Sequence, residues 1–227
     1  MFMVGEFMKF SNTKEKFSFL FKLLILAVCG VGLYLNFKIG PFNKMILYFT
    51  IFSNLMCFIF YLVAIILKLC NKLEKNNIYY IFKGMITMSI TLTMLGYWFL
   101  IAPKGLGIYK NYIVACRFVH LYTPILMIFD YIIFAEKGNL NKKYSFMWSL
   151  ILIEYIAFIY IYSSLGGRFI NQLKYPYKFL DLKLNGIIKT IVICIGIYII
   201  YVLIGRFVCY FDKKINERRK RKCKENI

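Results

Sequence analysis

Six long apolar segments constrain the fold of this chain of 227 residues more than any other feature. An α-helix rises about 1.5 Å per residue, so about 20 apolar residues cross the hydrocarbon core of a bilayer. Segments of this kind run over 17–37, 46–67, 79–101, 113–134, 146–165 and 187–209. The polar stretches between them are short and leave no room for a second domain. We therefore predict an all-α polytopic membrane protein, a bundle of six transmembrane helices.

The distribution of basic residues predicts the orientation of this bundle. Outside the spans, 17 Lys and Arg lie in the N-terminal segment, the second and fourth loops and the C-terminal segment, against 8 in the other three loops. The side richer in Lys and Arg faces the cytoplasm. We expect both termini in the cytoplasm of a multi-pass cell-membrane protein, with 1–16 as an N-terminal segment, 17–209 as the transmembrane domain and 210–227 as a basic tail.

The formal charge of +20 raises the question of a nucleic-acid partner, but the composition excludes one. Hydrophobic residues make up 61% of the chain, and the densest charge is confined to the tail. A nucleic-acid-binding protein needs a basic patch on a soluble fold. The predicted partner is the lipid bilayer. The seven cysteines form no C-x-x-C pair, and no metal or phosphate-binding motif is present, so we expect no cofactor and no metal.

Polar side chains inside the predicted spans are the best candidates for function, because burying them in lipid is costly. The second span contains Thr50, Ser53 and Asn54 within the string YFTIFSNLMCFIFY. Their spacing of three and four residues places all three on one face of a helix. With a cytoplasmic N-terminus, Thr50 lies about 6 Å below the outer end of its span.

The fourth span runs in the same direction and carries Arg117 and His120, at depths of about 6 and 10 Å. His120 is the only histidine of the chain. A hydroxyl and an imidazole on two helices at similar depth predict a polar pocket that opens outward. In such a pocket Thr50 can act as nucleophile with His120 as base. Ser53, Asn54 or Arg117 can then bind the substrate or stabilise the oxyanion. The alternative is that these groups are helix-packing hydrogen-bond partners, a common use in membrane proteins.

Three strings resemble the signature blocks of the Pr-six-Pr family of bacterial six-helix membrane proteins. They are FTIFSN at 49–54, HLYTPILMIFDYIIF at 120–134 and YPYKFLD at 175–181. The blocks match in order and spacing, and the resemblance extends over about residues 15–210. It implies a six-helix membrane fold.

That family is in turn similar, more remotely, to integral membrane hydrolases of the androgen-induced-gene type. Those enzymes cleave fatty acid esters of hydroxy fatty acids with an intramembrane threonine as nucleophile and a histidine as its partner. The resemblance implies these roles for Thr50 and His120. The chain departs from the hydrolases in the segment CRFV before the histidine, where Arg117 replaces an uncharged or imidazole side chain.

Four further residues are candidate accessory groups. Asp130 lies about 15 Å along the helix from His120, too far to orient it directly. Lys22, Lys83 and Arg206 lie at a similar depth near the cytoplasmic boundary, and Asp130 can pair with one of these basic side chains. Glu154 lies near the middle of the fifth span, where it can be neutral, pair with Arg117 or assist His120. Tyr175 and Asp181 are the first and last residues of the rigid loop YPYKFLD. This loop is either a lid over the pocket or a structural corner.

The sequence leaves three functions open. The first is an intramembrane hydrolase of fatty acyl esters that uses Thr50 and His120. The second is a binder or transporter of a small amphiphile, which needs no nucleophile. The third is a structural membrane protein, for which no convergence of polar side chains is expected.

Overall fold

Helices account for nearly all of the described chain. In this computed structural model the described residues are 10, 12–73, 77–101 and 110–225, and no strand occurs among them. Most of the predicted N-terminal segment and most of the third loop lie outside these residues. The α-helices are α1 (Thr13–Ile39), α2 (Phe42–Met45), α3 (Phe49–Leu69), α4 (Asn77–Gly96), α5 (Lys110–Arg117), α6 (Thr123–Phe134), α7 (Tyr144–Ser164), α8 (Leu182–Asn185) and α9 (Ile187–Glu225).

Six helical stretches are long and apolar enough to cross a membrane, which confirms the six predicted spans. The first five differ from the predicted boundaries by at most four residues, and the sixth continues well beyond residue 209. Lys, Arg and Glu are good helix formers, so the basic segment offers no reason for α9 to stop where its apolar part ends. The stretches are Thr13–Ile39, Phe49–Leu69, Asn77–Phe99, Ile113–Phe134, Tyr144–Ser164 and Ile187–Arg221.

Two π-helical turns interrupt these helices, Tyr97–Ile101 after α4 and Phe118–Tyr122 between α5 and α6. The second is closed by the N–H of Thr123, which donates to the carbonyl of Phe118. Pro124 follows directly and has no N–H to donate to the carbonyl of His120, four residues earlier. The helix therefore changes its hydrogen-bond pattern around His120. Wider turns of this kind occur frequently at functional sites.

The chain divides into two compact units. The first unit comprises residues 1–39 and 50–135 and thus holds α1, α4, α5, α6 and nearly all of α3. In it, α1 packs against α5 and α6, and α4 packs against α6. Gly32 permits the close approach of α1 to the second π-turn, because a Cβ atom there would lie 2.9 Å from Cβ of Phe118.

The second unit comprises residues 40–49 and 136–227. In it α7 packs against α9, where Gly205 approaches Ser145 and Trp148 is fully buried. The carboxylate of Asp212 on α9 accepts the backbone N–H groups of Gly138 at 2.7 Å and Leu140 at 3.1 Å. The loop before α7 is thereby fixed to the C-terminal helix.

Candidate functional site

The side chain of His120 is held in the second π-turn by two neighbours. Its ring stacks on Tyr97, with the centroids 4.0 Å apart and the planes at 16°. Its Nδ1 atom lies 3.4 Å from the carbonyl oxygen of Thr93, and only 7% of the residue is exposed. A carbonyl oxygen only accepts hydrogen bonds, so Nδ1 carries the proton in this contact. The neutral ring then presents Nε2 as its basic atom.

Ser53 and Thr93 connect α3 to α4 beside this histidine. Their hydroxyl oxygens are 2.9 Å apart, and the Ser53 hydroxyl also lies 3.1 Å from the carbonyl of Thr50. The Thr93 hydroxyl donates to the carbonyl of Ser89 at 3.1 Å. Ser53 is fully buried. The two hydroxyls thus form a short chain between helices, and Thr93 also supplies the carbonyl that contacts His120.

The amide of Asn54 is a second link between helices. It donates to the carbonyl of Thr50 at 2.8 Å and to the carbonyl of Val119 at 3.1 Å. The thiol of Cys29 on α1 donates to the Asn54 carbonyl at 3.1 Å. An amide has two hydrogens to donate, so both have acceptors in this arrangement. Asn54 therefore stabilises the packing of α3 against its neighbours and leaves no amide hydrogen for a ligand.

Thr50 differs from Ser53 and Asn54 because its side chain is only partly buried. Among the described residues, none forms a hydrogen bond with its hydroxyl. Its carbonyl accepts from the Asn54 amide and lies 3.1 Å from the Ser53 hydroxyl. The Ser53 hydroxyl oxygen is in turn 2.9 Å from that of Thr93, the residue whose carbonyl contacts His120. Thr50 is the second residue of α3, and first-turn N–H groups of a helix have no partner within that helix. The Phe49 N–H donates to the Tyr155 hydroxyl at 2.9 Å, so the backbone donors available near Thr50 are the first-turn N–H groups that follow Phe49.

Arg117 and His120 differ in solvent exposure, although they are only three positions apart in the sequence. Arg117 is exposed on the last turn of α5, whereas His120 is buried in the π-turn that begins directly after it. The helix is wider there than a regular α-helix, so the angular spacing of side chains changes.

Three residues of this site were not singled out from the sequence, namely Asn36, Thr93 and Tyr97. Asn36 donates to the carbonyls of Gly32 at 2.8 Å and Ala115 at 3.3 Å. Asn36 and Thr93 are polar residues inside predicted spans, so the criterion that selected Thr50 also selects them. Tyr97 carried no such signal, because a tyrosine near the end of a span is typical of a membrane anchor.

A second polar cluster in the first unit surrounds Asp130. Its carboxylate lies 2.5 Å from Nζ of Lys83 and 3.8 Å from Nζ of Lys22, and it accepts the Tyr61 hydroxyl at 2.8 Å. Asp130 thus pairs with Lys83 and Lys22, two of the three basic residues expected at its depth. The cluster joins α1, α3, α4 and α6.

The other three candidate residues lie in the second unit. Glu154 is exposed on α7. Tyr175 is buried, with its ring 5.4 Å from that of Tyr160, whose hydroxyl donates to the carbonyl of Leu180 at 3.0 Å. Asp181 caps α8 by accepting the N–H groups of Lys183 and Leu184. Packing contacts of Tyr175 and capping contacts of Asp181 therefore fix both ends of the loop YPYKFLD.

Tyr48 lies just before α3, in the segment that precedes this helix. Its ring meets Phe169 and Tyr177 edge to face, at 5.9 and 6.1 Å between centroids. Burial among these groups raises the pKa of the Tyr48 hydroxyl above its ordinary value. The hydroxyl therefore stays neutral at physiological pH and serves packing.

Within the described ranges, no group of three or more His, Cys, Asp or Glu side chains could hold a metal ion. No family model matches the chain, and neither a curated protein nor a solved structure is significantly similar to it. Functional inference therefore depends on the geometry of these clusters.

Proposed function

We propose that this protein is an intramembrane hydrolase of fatty acyl esters, with Thr50 as nucleophile and His120 as general base. The observation that carries the proposal is the arrangement of His120. It is a buried imidazole, stacked on Tyr97, whose Nδ1 faces a backbone carbonyl and whose Nε2 is left as the basic atom. A base oriented in this way needs no carboxylate partner to select its tautomer.

In the proposed reaction the Thr50 hydroxyl oxygen attacks the ester carbonyl carbon while its proton passes to Nε2 of His120. The oxyanion is stabilised by first-turn N–H groups of α3 that follow Phe49, whose own N–H donates to the Tyr155 hydroxyl; Asn54 has no free hydrogen for this role. The bond to the alcohol oxygen then breaks, and His120 returns the proton to the leaving alkoxide. Water, deprotonated by His120, attacks the acyl-threonine and releases a fatty acid and the free hydroxyl of Thr50.

The membrane setting favours an acyl ester as substrate. Thr50 and His120 lie on helices long and apolar enough to cross a membrane, so an acyl tail can remain in lipid while the carbonyl reaches Thr50. Exposed Arg117, one turn before His120, is available to contact a polar headgroup. Exclusion of water from such a site strengthens each hydrogen bond to the oxyanion.

We also propose an orientation of the chain in the membrane and a family to which it belongs. The excess of Lys and Arg on one side supports cytoplasmic termini in the cell membrane. The strings at 49–54, 120–134 and 175–181 resemble the signature blocks of the Pr-six-Pr family in order and spacing, which supports membership of that family.

The test is hydrolysis of a fluorogenic long-chain acyl ester by the purified full chain in detergent micelles. We expect activity in the wild type, none in Thr50→Ala, and partial activity in Thr50→Ser, which keeps a hydroxyl. His120→Ala should lower the rate by about 10²- to 10⁴-fold, the usual contribution of a positioned base. Ser53→Ala is the matched control and should keep most activity if it folds. Equal activity of wild type and Thr50→Ala contradicts the nucleophile assignment.

A second candidate function, the binding or transport of a small amphiphile, needs no nucleophile and therefore agrees with the use of Ser53, Thr93 and Asn54 in helix packing. These side chains hydrogen-bond to one another and to backbone carbonyls, the usual pattern of polar groups that stabilise helix packing in membranes. A photoreactive fatty acid distinguishes the two functions. Its cross-linking to Thr50→Ala at wild-type yield, with no ester hydrolysis by either protein, favours the binder.

A further inference from the structure

The proposed hydrolase makes no use of the charged side chains that surround Asp130. Lys22 on α1, Lys83 on α4 and Asp130 on α6 form the lysine–aspartate cluster. The side chains are 9%, 4% and 0% exposed, respectively. Charged groups at such depth are rare in membrane-spanning helices and are functional by default.

The Lys83 ammonium group has more hydrogen-bond donors than the described residues of the cluster have acceptors for it. A lysine ammonium group has three N–H donors. Within the described part of the chain, the Asp130 carboxylate is the one acceptor of the Lys83 ammonium group, which leaves two donors unmatched. The Lys22 ammonium group lies 3.8 Å from Oδ1 of Asp130 and donates to the backbone carbonyl and the hydroxyl of Ser18. Buried donors of a charged group are costly when left unpaired, so an oxygen-rich ligand would stabilise this arrangement.

We propose that the lysine–aspartate cluster binds one phosphate group, with Lys83 as the principal donor and Lys22 as the second cation. Ammonium groups are frequent ligands of phosphate, and two of them here share a single carboxylate. The Tyr61 hydroxyl donates to the Asp130 carboxylate from the side of α3, and this carboxylate pairs with both ammonium groups.

The depth of the cluster fits the phosphate of a membrane lipid. Lys83 is six residues from the start of α4, or about 9 Å along the helix, and Asp130 is four residues from the end of α6, or about 6 Å. The headgroup layer on each side of a bilayer is about 5–8 Å thick. The cluster therefore lies close to the boundary of headgroups and acyl chains. A lipid phosphodiester and free phosphate offer the same oxygens, and the experiment separates these sources.

The test measures the stability of the full chain in detergent micelles with three added probes: phosphatidylglycerol, diacylglycerol, which lacks the phosphate, and inorganic phosphate. At 100 times its dissociation constant, phosphatidylglycerol should lower the unfolding equilibrium constant of the wild type about 100-fold. Diacylglycerol should have no such effect. A response to inorganic phosphate alone would also support the site and would identify free phosphate as its ligand.

Variants decide whether the cluster is responsible. Lys83→Met should lose the response to phosphatidylglycerol, and Lys83→Arg should retain it. Lys213→Met is the matched control, because it removes one positive charge from a side chain that is 72% exposed. If Lys83→Met does not fold, Lys22→Met serves instead. The proposal is overturned if the wild type does not respond to either phosphate-containing probe, if diacylglycerol acts equally, or if both methionine variants respond as the wild type does.

Discussion

Truncation of Asp130 to alanine should be among the most damaging changes that a single residue of the first unit can undergo. The carboxylate is fully buried, 2.5 Å from the Lys83 ammonium group. Coulomb's law gives roughly 7 kcal/mol for unit charges at that distance with an effective dielectric constant of about 20. Desolvation offsets much of this attraction, and removal of one partner leaves a buried, uncompensated charge, so we expect a loss of about 3–5 kcal/mol.

The triple replacement Asp130→Leu with Lys83→Met and Lys22→Met tests the physical reason for that loss. Apolar residues of similar size often replace a buried set of paired charges at little cost, so the triple variant should be at least about 2 kcal/mol more stable than Asp130→Ala. The assay is reversible unfolding in mixed micelles with increasing dodecyl sulfate, followed by circular dichroism.

Glu15→Ala is the control for this comparison. Glu15 pairs with Lys68 at 2.8 Å, but the two side chains are 25% and 16% exposed. Water screens a pair of this kind, so its loss should cost about 1 kcal/mol or less. If Asp130→Ala is no more damaging than Glu15→Ala, the reasoning from burial is refuted.

Three further predictions concern packing, the loop before α7 and topology. Gly32→Val should destabilise the first unit by about 1–3 kcal/mol in the same assay, because its Cβ would lie 2.9 Å from Cβ of Phe118; a neutral effect would contradict this close approach. Asp212→Ala should cost about 1–3 kcal/mol by leaving the N–H groups of Gly138 and Leu140 unpaired, whereas Asp212→Asn, which keeps an acceptor oxygen, should cost less. Reporters fused at either terminus should be cytoplasmic, and labelling of a terminus by an impermeant reagent from outside would invert the proposed orientation.

The sequence predicts the helices of this protein well because each span carries its own signal of length and hydrophobicity. The boundaries are less certain where polar residues are good helix formers, as in the continuation of α9 through the basic segment. The π-turn at His120 is harder to predict. Pro124 predicts a disturbance four residues earlier, but its form depends on the packing of α1 and α4 around that turn.

The candidate site was predictable as a set of residue types and less so as a set of contacts. Polar groups inside apolar spans identified Thr50, Ser53, Asn54 and His120, and the structure gives Ser53 and Asn54 bonds to α4 and to the π-turn. The partner of His120 is a backbone carbonyl of Thr93. Every residue carries a carbonyl, so a sequence alone does not reveal which one a histidine will meet.

The most direct test of the proposed chemistry is to map the adduct that a long-chain fluorophosphonate forms with the purified full chain. A phosphonate ester forms on the oxygen that acts as nucleophile, with loss of fluoride, and peptide mass spectrometry locates it. We expect one adduct, on Thr50. It should disappear in Thr50→Ala and form about 10²- to 10⁴-fold more slowly in His120→Ala. An adduct on Ser53, or labelling that is unchanged in Thr50→Ala, would contradict this expectation.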